Sequence, residues 1–433
     1  MTQTARVVVL LAALGVAVPV SAATPPMPTI SAAIAGPGVM YPDPALNIVP
    51  EAVQAESFPY VTEEFFVSGT AFGAPYTTRI IVRRPKDVKA FSGTVVAEAQ
   101  HAGGRSLIFE WSRVSILTRN HIFVEIVHGP ANITQLQTFN AERYKTLAIG
   151  PGQSNHILAQ VGLLLKTRGG VLAPYDVKRV TLMGTSASSG TVRSFLPVHL
   201  DSRMANGGPI YDGFLLTSTN GNTALQLVDV PMIQMPTQTE VQTHAAAGIQ
   251  YRRPDSDAPD NKFRLYEVAG MPHNNARDMR SFGGAPCTLP VTDFPAGAFT
   301  AMGLHHLVEW IKGTPPPYAL PIEVDQNPAG DDSPLALDEY GNARGGVRNV
   351  WVDVPISTYG VFGKGKTTEQ DRLCQLAGTE VPLPEATLKK LYRNKGAYEK
   401  KVSERLDQLV KGGWFLPEYV ESLKADVKAT VIP

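Results

Sequence analysis

Short apolar runs alternate with amphipathic stretches along the chain as far as about Gly313. Thr94 to Ala99 (TVVAEA), His121 to Val127, Lys178 to Met183, Gly213 to Thr217, Pro231 to Met235 and Phe263 to Val268 have the length and β-branched character of buried strands. Between them, Ser106 to Thr118, Ser154 to Lys166 and Ala296 to Lys312 carry apolar positions at helical spacing. Ser154 has the chemistry of an N-cap, and Gly313 with the prolines after it stops the third helix. Strands alternating with helices predict an α/β fold, a mostly parallel sheet flanked by helices on both faces. Glu63 to Gly69 and Tyr76 to Val82 flank a Gly/Pro turn and predict an antiparallel hairpin at the start of that sheet.

The pattern changes at both ends. Val7 to Val18 is apolar, follows Arg6 and stops at Pro19, and Val20-Ser21-Ala22 has the small-x-small form of a cleavage site. The run is too short to span a bilayer, so residues 1–22 read as a signal peptide and the chain as periplasmic or secreted. Residues 23–50 read as an irregular lead-in and 51–313 as the catalytic domain. Residues 314–433 read as a loop-rich segment followed by charged helices (near 384–392, 397–411 and 417–429), packed on that domain.

Lys plus Arg and Asp plus Glu both number 39, so the chain is formally neutral and has no electrostatic footprint for nucleic acid. The two cysteines, Cys287 and Cys374, are expected to bridge in an oxidising compartment. That bridge ties the C-terminal segment to the region after the last strand.

The chemistry gathers where strands end. Gly184-Thr185-Ser186-Ala187-Ser188-Ser189-Gly190 follows a strand and precedes the helical run Thr191 to Leu196, the setting of a nucleophile elbow. Ser186, with the small Gly184 two before and Ser188 two after, is the expected nucleophile; a frame with Ser188 as nucleophile before Gly190 is the alternative. A serine hydroxyl needs a base, and His273, in a Gly/Pro turn after the last strand, supplies one. The first carboxylate after Pro231 to Met235 is Glu240, assigned to orient the histidine, with Asp255 and Asp257 as alternatives; Glu240 also suits a helix N-terminus. Backbone N–H groups of Ala187 and of the Gln100-His101-Ala102-Gly103-Gly104 loop are the expected oxyanion donors, with Gln100 and His101 singled out. Glu98 in the preceding strand is either structural or part of a pocket wall. His305, His306 and Glu309 make a weak metal-ligand spacing without a third cluster to support it, and no metal or organic cofactor is called for.

Several stretches together resemble a known family: GTVVAEAQ (93–100), FNAERYKTL (139–147), GTSASSG (184–190), VPMIQMPTQTE (230–240), FRLYEVAGMPH (263–273) and LDEYGNARGGVRNVWVDVP (337–355). They are similar to exported bacterial α/β-hydrolase-domain proteins with a G-x-S-x-S-G-type elbow. The resemblance covers most of the mature chain. It implies an α/β-hydrolase fold and an ester-like substrate, and points to Ser186 and His273. Members often have Gln after the nucleophile and Asp at the acid position, where this chain has Ala187 and Glu240. The expectation is a serine esterase acting through an acyl-enzyme on a small-molecule or polymer ester. An amidase or peptidase with the same triad, or a binding protein on a hydrolase scaffold, are the alternatives.

Overall fold

A computed structural model describes residues 23–41, 57–167, 170–219, 221–276, 286–325 and 333–432. The segment read as a signal peptide lies outside them. In chain order the strands are β1 (Thr29–Ile30), β2 (Tyr60–Ala71), β3 (Ala74–Pro85), β4 (Thr94–Ala99), β5 (Ile122–Ile126), β6 (Arg179–Thr185), β7 (Gly213–Thr217), β8 (Met232–Met235), β9 (Ser256–Ala258), β10 (Asn261–Leu265), β11 (Ser357–Gly360) and β12 (Thr379–Pro382). The helices are α1 (Leu107–Thr118), α2 (Pro130–Phe139), α3 (Ala141–Tyr144), α4 (Ser154–Lys166), α5 (Ala187–Asp201), α6 (Gln238–Ala246), α7 (Ala296–Ile311), α8 (Val350–Asp353), α9 (Thr368–Cys374), α10 (Glu385–Leu391), α11 (Lys395–Lys411) and α12 (Val420–Ala429).

Ten strands form one sheet in the order β1-β2-β3-β5-β4-β6-β7-β8-β10-β9. Strands β5, β4, β6, β7, β8 and β10 run parallel, and the two ends are antiparallel. The expected hairpin is longer than its apolar runs suggested. Phe72 (φ 52°) and Gly73 (φ 72°) close it as a two-residue turn with both φ positive, which matches the twist of the flanking strands. The lead-in is not wholly irregular, because Thr29 pairs with Ser68 and Ile30 with Val67. An edge strand offers free backbone groups to any extended segment, and two residues are too few to show a period.

Side chains alternate across the sheet with period two. Val95 and Ala97 of β4, Leu182 of β6, and Phe214 and Leu216 of β7 pack in one core layer with Leu158 of α4 and Phe195 of α5. Val96, Met183 and Leu215, the residues between, pack in the other layer with Phe109 of α1 and Phe299 of α7. Each of these side chains larger than alanine contributes roughly 1.5–3 kcal/mol by leaving water, so the central strands have one register only.

The C-terminal segment shares the second layer: Leu406 and Leu409 of α11 and Leu423 of α12 belong to the same cluster as α1 and α7. It also extends the sheet region by isolated pairings, Val268 with Val347 and Asn274 with Ala377. A disulfide joins Cys287 to Cys374, with the Cα atoms 5.6 Å apart. Among the described residues no helix is long and apolar enough to cross a membrane.

Candidate active site

Strand β6 ends at Thr185 and helix α5 starts at Ala187, so Ser186 is the single residue of the turn. Its backbone sits at φ 51°, ψ −119°, a conformation that costs a side-chain-bearing residue of order 1–3 kcal/mol. The surroundings over-determine it. The Ser186 N–H donates to Thr217 O at 3.2 Å. The Ser188 hydroxyl lies beneath the turn, donating to Thr185 O and accepting from Thr185 N–H, both at 3.0 Å. Ser188 is therefore buried and engaged, and it is not the exposed hydroxyl of the alternative frame. Its hydroxyl explains why serine stands where a glycine is common: it bridges the turn. Gly184 has no substitute, since a Cβ there would fall 2.5 Å from Ser188 O.

Helix α6 begins at Gln238, capped by Thr237. Glu240 is the third helical residue and completes a capping box, in which a Thr and a Glu three residues on satisfy each other's backbone N–H groups. Its Oε2 accepts from Thr237 N–H at 2.8 Å and from the Thr237 hydroxyl at 2.6 Å. Oε1 meets His273 Nδ1 at 2.5 Å. The helix-terminal role and the histidine-orienting role thus coexist, one on each oxygen. Burial alone would push the Glu240 carboxyl up; the His273 charge and the hydrogen bonds from His273 and Thr237 outweigh it and hold the group below the usual carboxylate range.

The loop bearing His273 is fixed by the same segment. Gly270 (φ 79°) donates its N–H to Gln238 Oε1 at 2.6 Å. Gln238 N–H donates to Met271 O at 2.9 Å, and His273 N–H to Thr239 Oγ1 at 3.0 Å. The C-terminal segment braces the other side: Asn274 N–H donates to Leu376 O and Gly378 N–H to Asn274 O, both at 2.9 Å. The alternatives to Glu240 are committed elsewhere. Asp255 accepts from Leu265 N–H at 2.8 Å, and Asp257 pairs with Arg264 at 2.8 Å and with the Tyr318 hydroxyl at 2.6 Å.

Ser186 and His273 line one cavity of about 480 Å³. Leu107 and Trp111 of α1 form one wall. Glu369, Arg372 and Leu373 of α9, with Leu376 just beyond it, form the facing wall. Sequence reading missed this second wall. The signal present in the chain was the apolar and charged set 369/372/373/376 at i, i+3, i+4, i+7 spacing, one face of a helical turn. Glu98 is not a wall residue. Its carboxylate accepts Ile108 N–H and Phe109 N–H, each at 2.9 Å, and so anchors the start of the helix that carries Leu107 and Trp111.

The expected oxyanion donors need correction. Gln100 gives its N–H to Ile126 O and His101 gives its N–H to Arg105 O, both at 2.9 Å, so both are used inside the fold. Gly103 N–H turns back to His101 Nδ1 at 3.0 Å, and Gly104 N–H to His101 O at 2.8 Å. Within the loop this leaves Ala102 as the residue whose N–H is not so bound among the described residues, while Asn132 and Gln135 hold the carbonyls of His101 and Ala102 at 2.9 and 2.7 Å. Ala187 N–H is the first of α5 and has no carbonyl of its own helix to bond. His305 meets Arg119 at 3.2 Å, which in turn donates to Glu418 at 2.9 Å, and His306 meets Gly413 O at 2.9 Å; the contacts to Glu418 and Gly413 fasten the C-terminal segment. No group of three or more metal-ligating side chains is found among the described residues.

Burial disfavours the charged form of several histidines. Burial, then the His273 and Arg105 charges, push His101 down to about 4. Burial likewise lowers His121 to about 3 and His306 to about 4. The unfolded chain titrates near 6.5, so below that pH it binds protons the folded chain refuses. Stability is expected to be level above about pH 6.5 and to fall with pH below it, by up to roughly 1.4 kcal/mol per unit for each such histidine. Urea midpoints at pH 7 and pH 5 test this; equal midpoints would contradict it.

A family model described as an alpha/beta hydrolase domain matches residues 16–425. No curated protein matches. Among solved structures, esterase Est22 matches at 10% identity and TM-score 0.39, covering 63% of this chain and 86% of its own. A mutant of the same esterase matches at 10% identity and TM-score 0.39, with 62% and 86% covered.

Proposed function

Since the chain belongs to the alpha/beta hydrolase domain family, we propose that it is an exported serine hydrolase acting on carboxylic esters through Ser186, His273 and Glu240. The observation that carries the reading is the hydrogen bond between His273 Nδ1 and the buried Glu240 carboxylate, on a histidine lining the same cavity as the strained Ser186. Glu240 fixes the proton on Nδ1, which leaves Nε2 with a lone pair to act as base.

In the first half-reaction Nε2 takes the Ser186 hydroxyl proton as Oγ bonds to the ester carbonyl carbon. Negative charge moves to the carbonyl oxygen, where the N–H groups of Ala187 and Ala102 are the donors that fit. The imidazolium, stabilised by Glu240, gives its proton to the leaving alcohol as the C–O bond breaks. In the second half, water loses a proton to Nε2, attacks the acyl-enzyme and releases the acid with Ser186 restored. Export is supported by the apolar segment 7–18 with its cleavage site, and by the disulfide, which persists in oxidising compartments.

A fluorophosphonate probe is expected to label the folded protein once, at Ser186, and to leave Ser186→Ala unlabelled. Short p-nitrophenyl esters are expected to be turned over by the parent protein. Labelling that survives Ser186→Ala, or no ester turnover, would sink the proposal.

A further inference from the structure

Helix α9 brings a charge to the cavity as well as an apolar wall. Leu373 and Leu376 face the side built by Leu107 and Trp111, so that part of the cavity suits an apolar group. Arg372, the residue before Leu373, also lines the cavity, is exposed, and makes no hydrogen bond or ion pair with any described residue. The other charged lining groups have partners. Arg105 is paired with the buried Glu110. Glu369 accepts from the Thr367 hydroxyl and its own backbone amide, which hold its carboxyl below the usual range. His101 is neutral at ordinary pH. One guanidinium thus lines the cavity with Ser186 and has its donors unused among the described residues, a fork that fits a carboxylate or phosphate.

We infer that Arg372 selects esters carrying an anionic group, of which the apolar portion lies between α1 and α9. This rests on the esterase reading of the same cavity. Glu369, one turn earlier on α9, repels a second negative charge and confines the anionic group to the Arg372 side. The inference does not depend on whether the anion is in the acyl or the alcohol part.

The test uses the full, oxidised mature chain and two matched pairs: p-nitrophenyl hemiglutarate against p-nitrophenyl pentanoate, and 4-(butyryloxy)benzoate against its methyl ester. The readout is the ratio of kcat/KM for the charged member to that for the neutral one. In Arg372→Gln the ratio is expected to fall about tenfold for at least one pair, through KM, as for loss of one hydrogen-bonded charge contact. Arg372→Lys is expected to recover part of it. Ratios unchanged in Arg372→Gln for both pairs would overturn the inference and leave the esterase reading standing. A parent protein that hydrolyses none of the four compounds would instead remove the esterase reading, and this inference with it.

Discussion

Glu240→Gln is expected to lower kcat about 10⁴-fold while the protein stays folded with almost unchanged stability. The reason is the division of work between the two carboxylate oxygens. Oε2 accepts two hydrogen bonds from Thr237, so in the variant the amide oxygen must take that place, and glutamine is as good as glutamate in a capping box. The amide NH₂ then faces His273 Nδ1. A donor there makes Nδ1 the acceptor and moves the ring proton to Nε2, the atom that must be free to deprotonate Ser186. The cap survives and the base is lost. Thermal unfolding and ester kinetics on one preparation check both halves. A loss of activity accompanied by a fall in Tm of many degrees would mean that Glu240 matters for the helix and not for the histidine.

Ser186→Gly is expected to abolish esterase turnover, by roughly 10⁶-fold in kcat for loss of a nucleophile, and yet to make the protein more stable. Serine at φ 51°, ψ −119° carries strain of order 1–3 kcal/mol. Glycine adopts that conformation freely but loses roughly 0.5–1 kcal/mol through its more disordered unfolded state. The difference favours the variant by about 1 kcal/mol, readable as a higher urea midpoint. Ser186→Ala, which keeps the Cβ, is expected to lose activity without the gain. If glycine destabilises the fold, the strain is not held at this residue.

The elements most legible in the sequence are those with sharp chemical borders. Strands β4 and β7 and helix α4 run over the residues their apolar patterns mark out, although Ser154 is not the N-cap of α4: Gln153 holds that place, and the Ser154 hydroxyl donates to His128 O at 2.8 Å. The elbow is legible for the same reason, since Gly184 and the strand before it are local facts. Helix α5 is longer than the run Thr191 to Leu196: it starts at Ala187, and its first turn is rich in Ser and Gly, poor helix formers held by the elbow. Helix α2, with a weak apolar face, is not legible at all. In the site, Glu240 and His273 are legible as residue types at strand ends. Which N–H groups of the Gln100–Gly104 loop are free is not legible, because Ile126 O and Arg105 O decide it through contacts that spacing does not encode. The α9 wall is hidden for a similar reason. It reaches the cavity through pairings such as Asn274 with Ala377, between segments far apart in the chain.

The Cys287–Cys374 link has a consequence for when the cavity is finished. Cys374 is the last residue of α9, the helix that carries Arg372 and Leu373. Without the bond, that end of α9 would rest on backbone pairings such as Asn274 N–H with Leu376 O. If Ser186 and Arg372 act as proposed, a chain in that state would have the means to cleave a bond before the means to choose which one. Oxidation would then add discrimination to a catalyst already built.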